Sequence, residues 1–204
     1  MNITKIEQKI IKFLYYFTSF SKYYFILTMK MSQFLEQCHI PKYKNRKEIE
    51  IALKNGSLYK HDNIAQTIKD YLIHPRVIQC RLQKQIPFGD CDDHAIYWCV
   101  ALKKSNLVKR TWMCIFHMKG VGIDDSISGH AICVFLAKNN ILYWCDYKQA
   151  RQLEKFGDFM VQSANLYGNE AFIGAAWEVV SVDHNDTPIF GSTNRILPGE
   201  DVEI

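Results

Sequence analysis

Pro87-Phe88-Gly89-Asp90-Cys91-Asp92-Asp93-His94-Ala95 combines a tight turn with the start of a helix, and the rest of the fold follows from it. Gly89 supplies the backbone freedom that such a turn requires. Apolar residues then recur at helical spacing, namely Ala95, Ile96, Cys99, Val100 and Leu102. Cys91 is therefore predicted in the first helical turn, where the helix dipole favours a thiolate and backbone N–H groups can bind an oxyanion. These features make Cys91 the candidate nucleophile.

Three acidic side chains surround this cysteine: Asp90, Asp92 and Asp93. Carboxylates suit the N-terminus of a helix, but their charge opposes a thiolate. Asp93 is the candidate site-supporting residue among them, because acids at helix starts commonly accept backbone hydrogen bonds. A base from elsewhere in the chain must therefore activate Cys91.

The composition indicates one globular domain with an appended segment. Of 204 residues, 48% are hydrophobic and 23% are charged, which provides a core and excludes general disorder. The net charge of +4 is mild, and its lysines lack the interleaved arginines and aromatic residues of nucleic-acid-binding proteins. No nucleic-acid partner is expected.

The seven cysteines form an odd number, contain no C-x-x-C pair and lie largely in apolar runs. This pattern favours reduced, buried thiols in an intracellular, cytoplasmic protein over a disulfide framework. Burial is predicted for Cys99, Cys114, Cys133 and Cys145. The high Lys, Ile and Asn content is typical of AT-rich bacterial or viral genomes, and a viral origin would place the protein in the host cell.

The first 35 residues carry a heptad stripe sustained over more than four repeats. Its members are Ile3, Ile6, Ile10, Phe13, Phe17, Phe20, Tyr24, Leu27, Met31 and Phe34. Lysines interrupt the apolar run, which disfavours a signal peptide and a membrane span. The stripe in residues 3–35 favours a helix packed on its own domain or on a second copy, and docking on a membrane surface is the alternative. We therefore predict an amphipathic helical segment over residues 1–40 and the main domain over residues 45–204.

Helices and loops are also predicted on both sides of the central turn. One helix covers Arg46–Lys54, and another begins at Asp62 and ends at His74-Pro75. Residues 76–86 show no clear periodicity. Lys148–Phe156 is predicted to begin a helix, and the residues from Asp183 onward are predicted to form an extended tail.

Beyond the cysteine helix the apolar pattern changes to period two, which predicts strands at Thr111–Met118, Gly129–Ala137 and Ile141–Tyr147. The intervening Lys119–Ser128 is predicted to be a loop. Lys138-Asn139-Asn140 is a hairpin signal between the last two strands.

The length of this hairpin turn decides which side chains meet. In a three-residue turn, positions whose numbers sum to 278 are opposite each other, and Asp146 lies diagonal to His130 on the same face. A two-residue turn would place Asp146 on the opposite face. The sequence permits both registers.

Together these residues provide the groups that thiol catalysis requires. His130 can accept the proton of Cys91 or form an ion pair with its thiolate near neutral pH. Asp146 would fix the imidazole tautomer and stabilise the imidazolium. Gln85, six positions before the cysteine, is the candidate second donor to the oxyanion, and Gln83 is the alternative candidate.

Three motifs resemble those of the transglutaminase-like superfamily of papain-type folds. The Gly89–Ala95 stretch is similar to its cysteine motif, Gly129-His130-Ala131 to its histidine motif and Trp144-Cys145-Asp146-Tyr147 to its aspartate motif. The order and the spacing agree as well, since the histidine follows the cysteine by 39 residues and the aspartate follows the histidine by 16. Across about Ile64–Val182, the resemblance implies an α+β fold with a papain-like/transglutaminase-like core. Its cysteine-bearing helix packs on an antiparallel sheet, and this chain adds an N-terminal helix.

The resemblance also implies thiol-dependent acyl transfer on an amide of a protein or peptide substrate, through a Cys-His-Asp triad and without a cofactor. A peptide or isopeptide hydrolase is the first expectation, because no binding site for an acceptor amine can be recognised. Two alternatives stay open: an amide transferase of the protein-glutamine transglutaminase type, and a non-catalytic interaction module that uses the N-terminal helix.

Two further side chains have competing interpretations. His94 follows Cys91 at C-x-x-H spacing, which occurs in zinc sites, but no second ligand pair lies at metal spacing and no metal is expected. Trp144 is a candidate site-supporting residue that would form a wall of the site; the alternative is a place in the core.

Overall fold

The second half of the chain forms an antiparallel sheet. The structure is a computed structural model that describes residues 22–24, 26–56, 72–87, 89–120 and 127–201. In chain order the strands are β1 Val108–Gly120, β2 Ile127–Ala137, β3 Leu142–Asp146, β4 Gln149–Leu153, β5 Asn169–Val182 and β6 Pro188–Ile196. Their order across the sheet is β4-β3-β2-β1-β5-β6.

The helices come mainly from the first half of the chain. They are α1 Arg46–Gly56, α2 Pro75–Lys84, α3 Cys91–Lys104 and, between two strands, α4 Asp158–Leu166. Residues 22–24 and 26–32 are also helical. Helices packed on one antiparallel sheet confirm the predicted α+β class.

Both faces of the sheet are apolar, so each strand contributes to two cores. On β2, Cys133 and Phe135 belong to the core that includes α3, whereas Ile132 and Val134 belong to the core beside α4. The run Asp92–Leu102 of α3 is buried on every side, because α1, α2 and the N-terminal segment contribute to the same core as the sheet. This burial holds the start of α3 in a fixed position.

The β2–β3 hairpin has the register of a three-residue turn. Cys133 pairs with Cys145 and Val134 with Trp144, so the numbers of opposite residues sum to 278. Ala137 N–H donates to the Ile141 carbonyl at 2.9 Å. The two-residue alternative is thereby excluded, and residues 130 and 146 lie on one face.

Helix α2 occupies a stretch in which no element was predicted. His74 is its N-cap, and the His74 Nδ1 accepts the Arg76 N–H at 3.2 Å. Pro75 begins the helix, because a proline at the first position lacks only an N–H that would have no helical partner. The prediction that His74-Pro75 ends a helix therefore needs correction, since a helix begins there. Most of the helix predicted from Asp62 lies outside the described residues.

Two predictions for the C-terminal third were wrong. The stretch predicted to begin a helix at Lys148–Phe156 contains β4, and α4 starts only at Asp158. The predicted tail contains β6, which pairs with β5. Both are edge strands with largely polar or exposed residues, so they lack the apolar alternation that identifies a strand.

Residues 28–40 pack on the main domain. Met29 and Ile40 are buried in the core shared with α3, and the Thr28 and Ser32 hydroxyls accept the N–H groups of Leu72 and His74 at 3.1 and 2.7 Å. Within the described residues, no helix is long and apolar enough to cross a membrane.

Asp186 ties the C-terminal strands to this segment and to two helices. Its buried carboxylate accepts the Arg76 Nε–H at 2.9 Å, the Ile40 N–H at 3.3 Å and a hydrogen bond from Lys104 at 2.5 Å. Burial alone would raise the pKa of this carboxyl, but the hydrogen bonds from Lys104 and Arg76 outweigh it and the pKa is lowered.

Candidate active site

Cys91 is the first residue of α3, as the sequence predicts. Gly89 turns the chain just before it, with φ of +38°. A side chain at this position would be both strained and blocked, because a Cβ would lie 1.7 Å from Asp93 Oδ2. The turn therefore requires glycine, and it delivers Cys91 to the positive end of the helix dipole.

Asp93 holds this turn in place. Its side chain is buried, and its Oδ1 accepts the Ile73 N–H at 2.6 Å. Asp92 is also buried, and its Oδ1 accepts the Asp93 N–H at 3.0 Å. Asp93 thus joins the start of α3 to the backbone before α2, and its carboxylate packs against Gly89.

His130 and Asp146 form a buried pair. The His130 Nε2 lies 3.0 Å from Asp146 Oδ1, and the two side chains are only 5% and 10% exposed. Because an ionised carboxylate only accepts hydrogen bonds, Nε2 carries a proton in this contact. Nδ1 is then the ring nitrogen that can exchange a proton with a thiol.

Tyrosines complete the surroundings of this pair. The Tyr167 hydroxyl donates to Asp146 Oδ2 at 3.1 Å, and its ring lies 5.2 Å from the His130 ring between centroids. The rings of Tyr147 and Phe116 each lie 5.7 Å from His130. The imidazole is therefore enclosed by aromatic rings, and both oxygens of its carboxylate partner accept hydrogen bonds.

Tyr147 connects the start of α3 with this pair. The Tyr147 ring lies 5.4 Å from the ring of His94, one helical turn after Cys91, and 5.7 Å from the ring of His130. The Trp98 Nε1–H of α3 donates to the Tyr147 carbonyl at 2.8 Å. Burial raises the pKa of Tyr167, and the negative charge of Asp146 raises it further. Cys91 and the His130–Asp146 pair thus lie at the same end of the sheet.

The other cysteines are poor nucleophiles or distant from this end. None of the seven, all within the described residues, forms a disulfide. Burial raises the pKa of the four thiols predicted to be buried, Cys99, Cys114, Cys133 and Cys145. The pKa of buried Cys80 is raised to about 11, first by its hydrogen bond with Cys38 and then by burial. Only Cys38 and Cys91 are half-buried.

Gln85 and Trp144 occupy structural positions. Gln85 caps the end of α2 with φ of +55°, and its side chain is exposed, as is that of Gln83. Trp144 is fully buried in the core beside α4, where its Nε1–H donates to Gln162 Oε1 at 3.1 Å. Its position fits the core interpretation, and the oxyanion role of Gln85 stays a prediction.

Cys91 and His94, the C-x-x-H pair, belong to no group of three or more metal-ligating side chains among the described residues. His94 is buried against Tyr147, and burial is the main cause that lowers its pKa to about 4. Within the described residues, the group of side chains close enough to share an ion is Asp90, Asp92 and Asp93, and it includes neither Cys91 nor His94. Two of these carboxylates already accept the backbone hydrogen bonds described above.

Tyr167 and Tyr147 were missed by the sequence interpretation. Tyr167 follows Asp146 by 21 residues, at the end of α4, and it belongs to no motif. Tyr147 is part of the aspartate motif, but its place close to both His94 and His130 depends on the packing of α3.

Comparison of the sequence with protein-family models and with curated proteins found no significant match to either.

Proposed function

We propose that the chain is a thiol-dependent acyl-transfer enzyme of the transglutaminase-like type and acts as a peptide or isopeptide hydrolase. Cys91 is the nucleophile, His130 the general base and acid, and Asp146 the carboxylate that orients the imidazole. The observation that supports this proposal is the 3.0 Å contact between His130 Nε2 and Asp146 Oδ1, near Tyr147, whose ring also lies close to His94 of α3.

The first half of the reaction forms a thioester. The Cys91 thiol transfers its proton to His130 Nδ1, and the sulfur attacks the amide carbonyl carbon. The C–N bond then breaks, and the imidazolium returns the proton to the leaving amine. The dipole of α3 stabilises the negative charge, first on sulfur and then on the carbonyl oxygen.

The second half releases the acyl group. Water gives a proton to His130 and attacks the thioester, and the thiol is regenerated as the carboxylic acid leaves. Hydrolysis is preferred to transfer because the sequence contains no recognisable site for an acceptor amine.

Alkylation by iodoacetamide at about pH 6 tests the activated thiol. An unperturbed cysteine has a pKa of about 8.5 and is almost entirely protonated at this pH, whereas a thiolate paired with imidazolium stays ionised. We expect Cys91 to react at least about tenfold faster than Cys38, the other half-buried thiol. Peptide mass spectrometry after timed labelling measures both rates.

Two variants control this experiment. Cys38→Ser should leave the labelling of Cys91 unchanged, and His130→Ala should remove its advantage over Cys38. Equal labelling of Cys38 and Cys91 in the wild type would contradict the ion pair and favour the interaction-module alternative.

Replacement of Tyr167 by phenylalanine should slow this alkylation about tenfold, because a hydrogen bond to a charged group contributes about 1.5 kcal/mol. The Tyr167 hydroxyl holds the Asp146 carboxylate, and Asp146 in turn orients the His130 ring, so its loss should slow the labelling of Cys91 and leave that of Cys38 unchanged. Tyr143→Phe is the matched control, since Tyr143 stacks on Phe135 in the core region beneath α3. An unchanged labelling rate of Cys91 in Tyr167→Phe would show that Tyr167 only packs against His130.

A further inference from the structure

The helix formed by residues 22–24 and 26–32 has two different faces. Thr28, Met29 and Ser32 lie on the inner face, where they are buried against the domain. Tyr23, Leu27 and Met31 follow at spacings of four residues and therefore lie on one outer face. Leu27 is 57% exposed and Met31 is 63% exposed. Such a row of large apolar side chains needs a partner.

The outer face extends beyond the helix and includes a charge. Phe34, just after the helix, is 93% exposed, and Lys30 is exposed beside Leu27 and Met31. By contrast, Lys22 is directed inward, because its Nζ donates to the Gly191 carbonyl at 3.0 Å and to Thr193 Oγ1 at 3.2 Å. The outer face is therefore apolar and aromatic with a basic side chain at its margin.

The charge of the chain is concentrated in the same segment. The first 35 residues contain five lysines and a single acid, Glu7, which gives a net charge of +4. The remaining residues contain 20 basic and 20 acidic side chains, so this segment carries the whole net charge of the protein. A second copy of this face would bring two segments of like charge together, whereas an anionic surface complements it.

We propose that this outer face docks on an anionic lipid surface. Aromatic and aliphatic side chains would enter the boundary between headgroups and acyl chains, and lysines would lie among the headgroups. A helix with one apolar and one buried face is expected to lie along such a surface, and within the described residues no helix is long and apolar enough to cross a bilayer. The stripe of apolar residues from Ile3 to Phe20 continues the pattern in the sequence, over residues outside those that the structure describes.

Vesicle flotation of the full chain tests this proposal. Vesicles of phosphatidylcholine mixed with phosphatidylserine should bind the protein, those of phosphatidylcholine alone should bind it more weakly, and added salt should release it. The double variant Leu27→Gln/Met31→Gln should bind at least about tenfold more weakly, because it removes two apolar side chains from the contact. The matched control is Ile51→Gln, a residue 55% exposed on α1 that should bind like the wild type.

A second measurement shows whether a lipid surface or a second copy of the chain covers this outer face. All four tryptophans are fully buried, so the Met31→Trp variant adds one exposed indole whose fluorescence should shift to shorter wavelength on anionic vesicles. Sedimentation equilibrium without lipid should show a monomer. A dimer that Leu27→Gln/Met31→Gln dissociates would overturn the proposal in favour of a second copy. A monomer that binds no anionic vesicles at low salt would overturn it as well.

Discussion

Replacement of Cys91 by alanine should lower the rate of amide cleavage by at least about 1,000-fold, since removal of a nucleophile leaves only the contribution of binding and of the helix dipole. A library of peptide amides and lysine-linked isopeptides, incubated with the wild type and analysed by mass spectrometry, would identify a cleaved substrate. The same substrate then gives the rate for Cys91→Ala. His130→Ala should cause a loss of similar size, because the two residues act as one unit.

Cys38→Ser is the matched control for this experiment, because Cys38 is also half-buried but lies in the segment before α1, where its backbone N–H donates to the Arg76 carbonyl of α2. It should cleave at the wild-type rate. Added small amines distinguish the acyl acceptor: a product with the mass of the amide would indicate transfer, and a product with the mass of the acid would indicate hydrolysis. Equal cleavage by wild type and Cys91→Ala would contradict the proposed nucleophile.

The parts of this site that the sequence predicts depend on short-range chemistry. The turn at Gly89 and the start of α3 follow from backbone and dipole effects within a few residues. The contact between His130 and Asp146 follows from the length of one hairpin turn, which restricts the register to two alternatives. The structure was needed to choose between them.

The missed parts depend on contacts between residues distant in the chain. Tyr167 reaches Asp146 because α4 packs against the sheet. No periodic pattern in the sequence indicates a contact between two residues that are 21 positions apart. Helix α2 is short and has only three aliphatic residues, Val77, Ile78 and Leu82, among polar and charged ones, so its apolar pattern is too brief to identify a helix. Strands β4 and β6 lie at the edges of the sheet, and many of their side chains are exposed to solvent. Their sequences therefore lack the alternation of apolar and polar residues that identifies a strand.

Lowering the pH from about 7 to about 5 should reduce the free energy of unfolding by about 2 kcal/mol or more. Burial is the main cause that lowers the pKa of both His74 and His94 to about 4, with added repulsion from Arg76 and Lys148 respectively. The unfolded chain binds protons at these residues below its histidine pKa of about 6.5, while the folded chain does not until about pH 4. Stability is therefore lost as the pH falls through this window. Urea denaturation at each pH measures the loss.

The His74→Asn variant isolates one of these two contributions. His74 Nδ1 accepts the Arg76 N–H, so its protonation would also break the cap of α2, while its Nε2–H points to Thr187 Oγ1 at 3.2 Å. Asparagine is a good N-cap and does not titrate, so this variant should lose about half as much stability as the wild type between the two pH values. His184→Asn, at an exposed position, should keep the wild-type dependence. The carboxyl of Asp186 does not add to the loss at pH 5, because its lowered pKa keeps it ionised there. An identical pH dependence in wild type and His74→Asn would mean that water reaches the imidazole and that its burial does not oppose protonation.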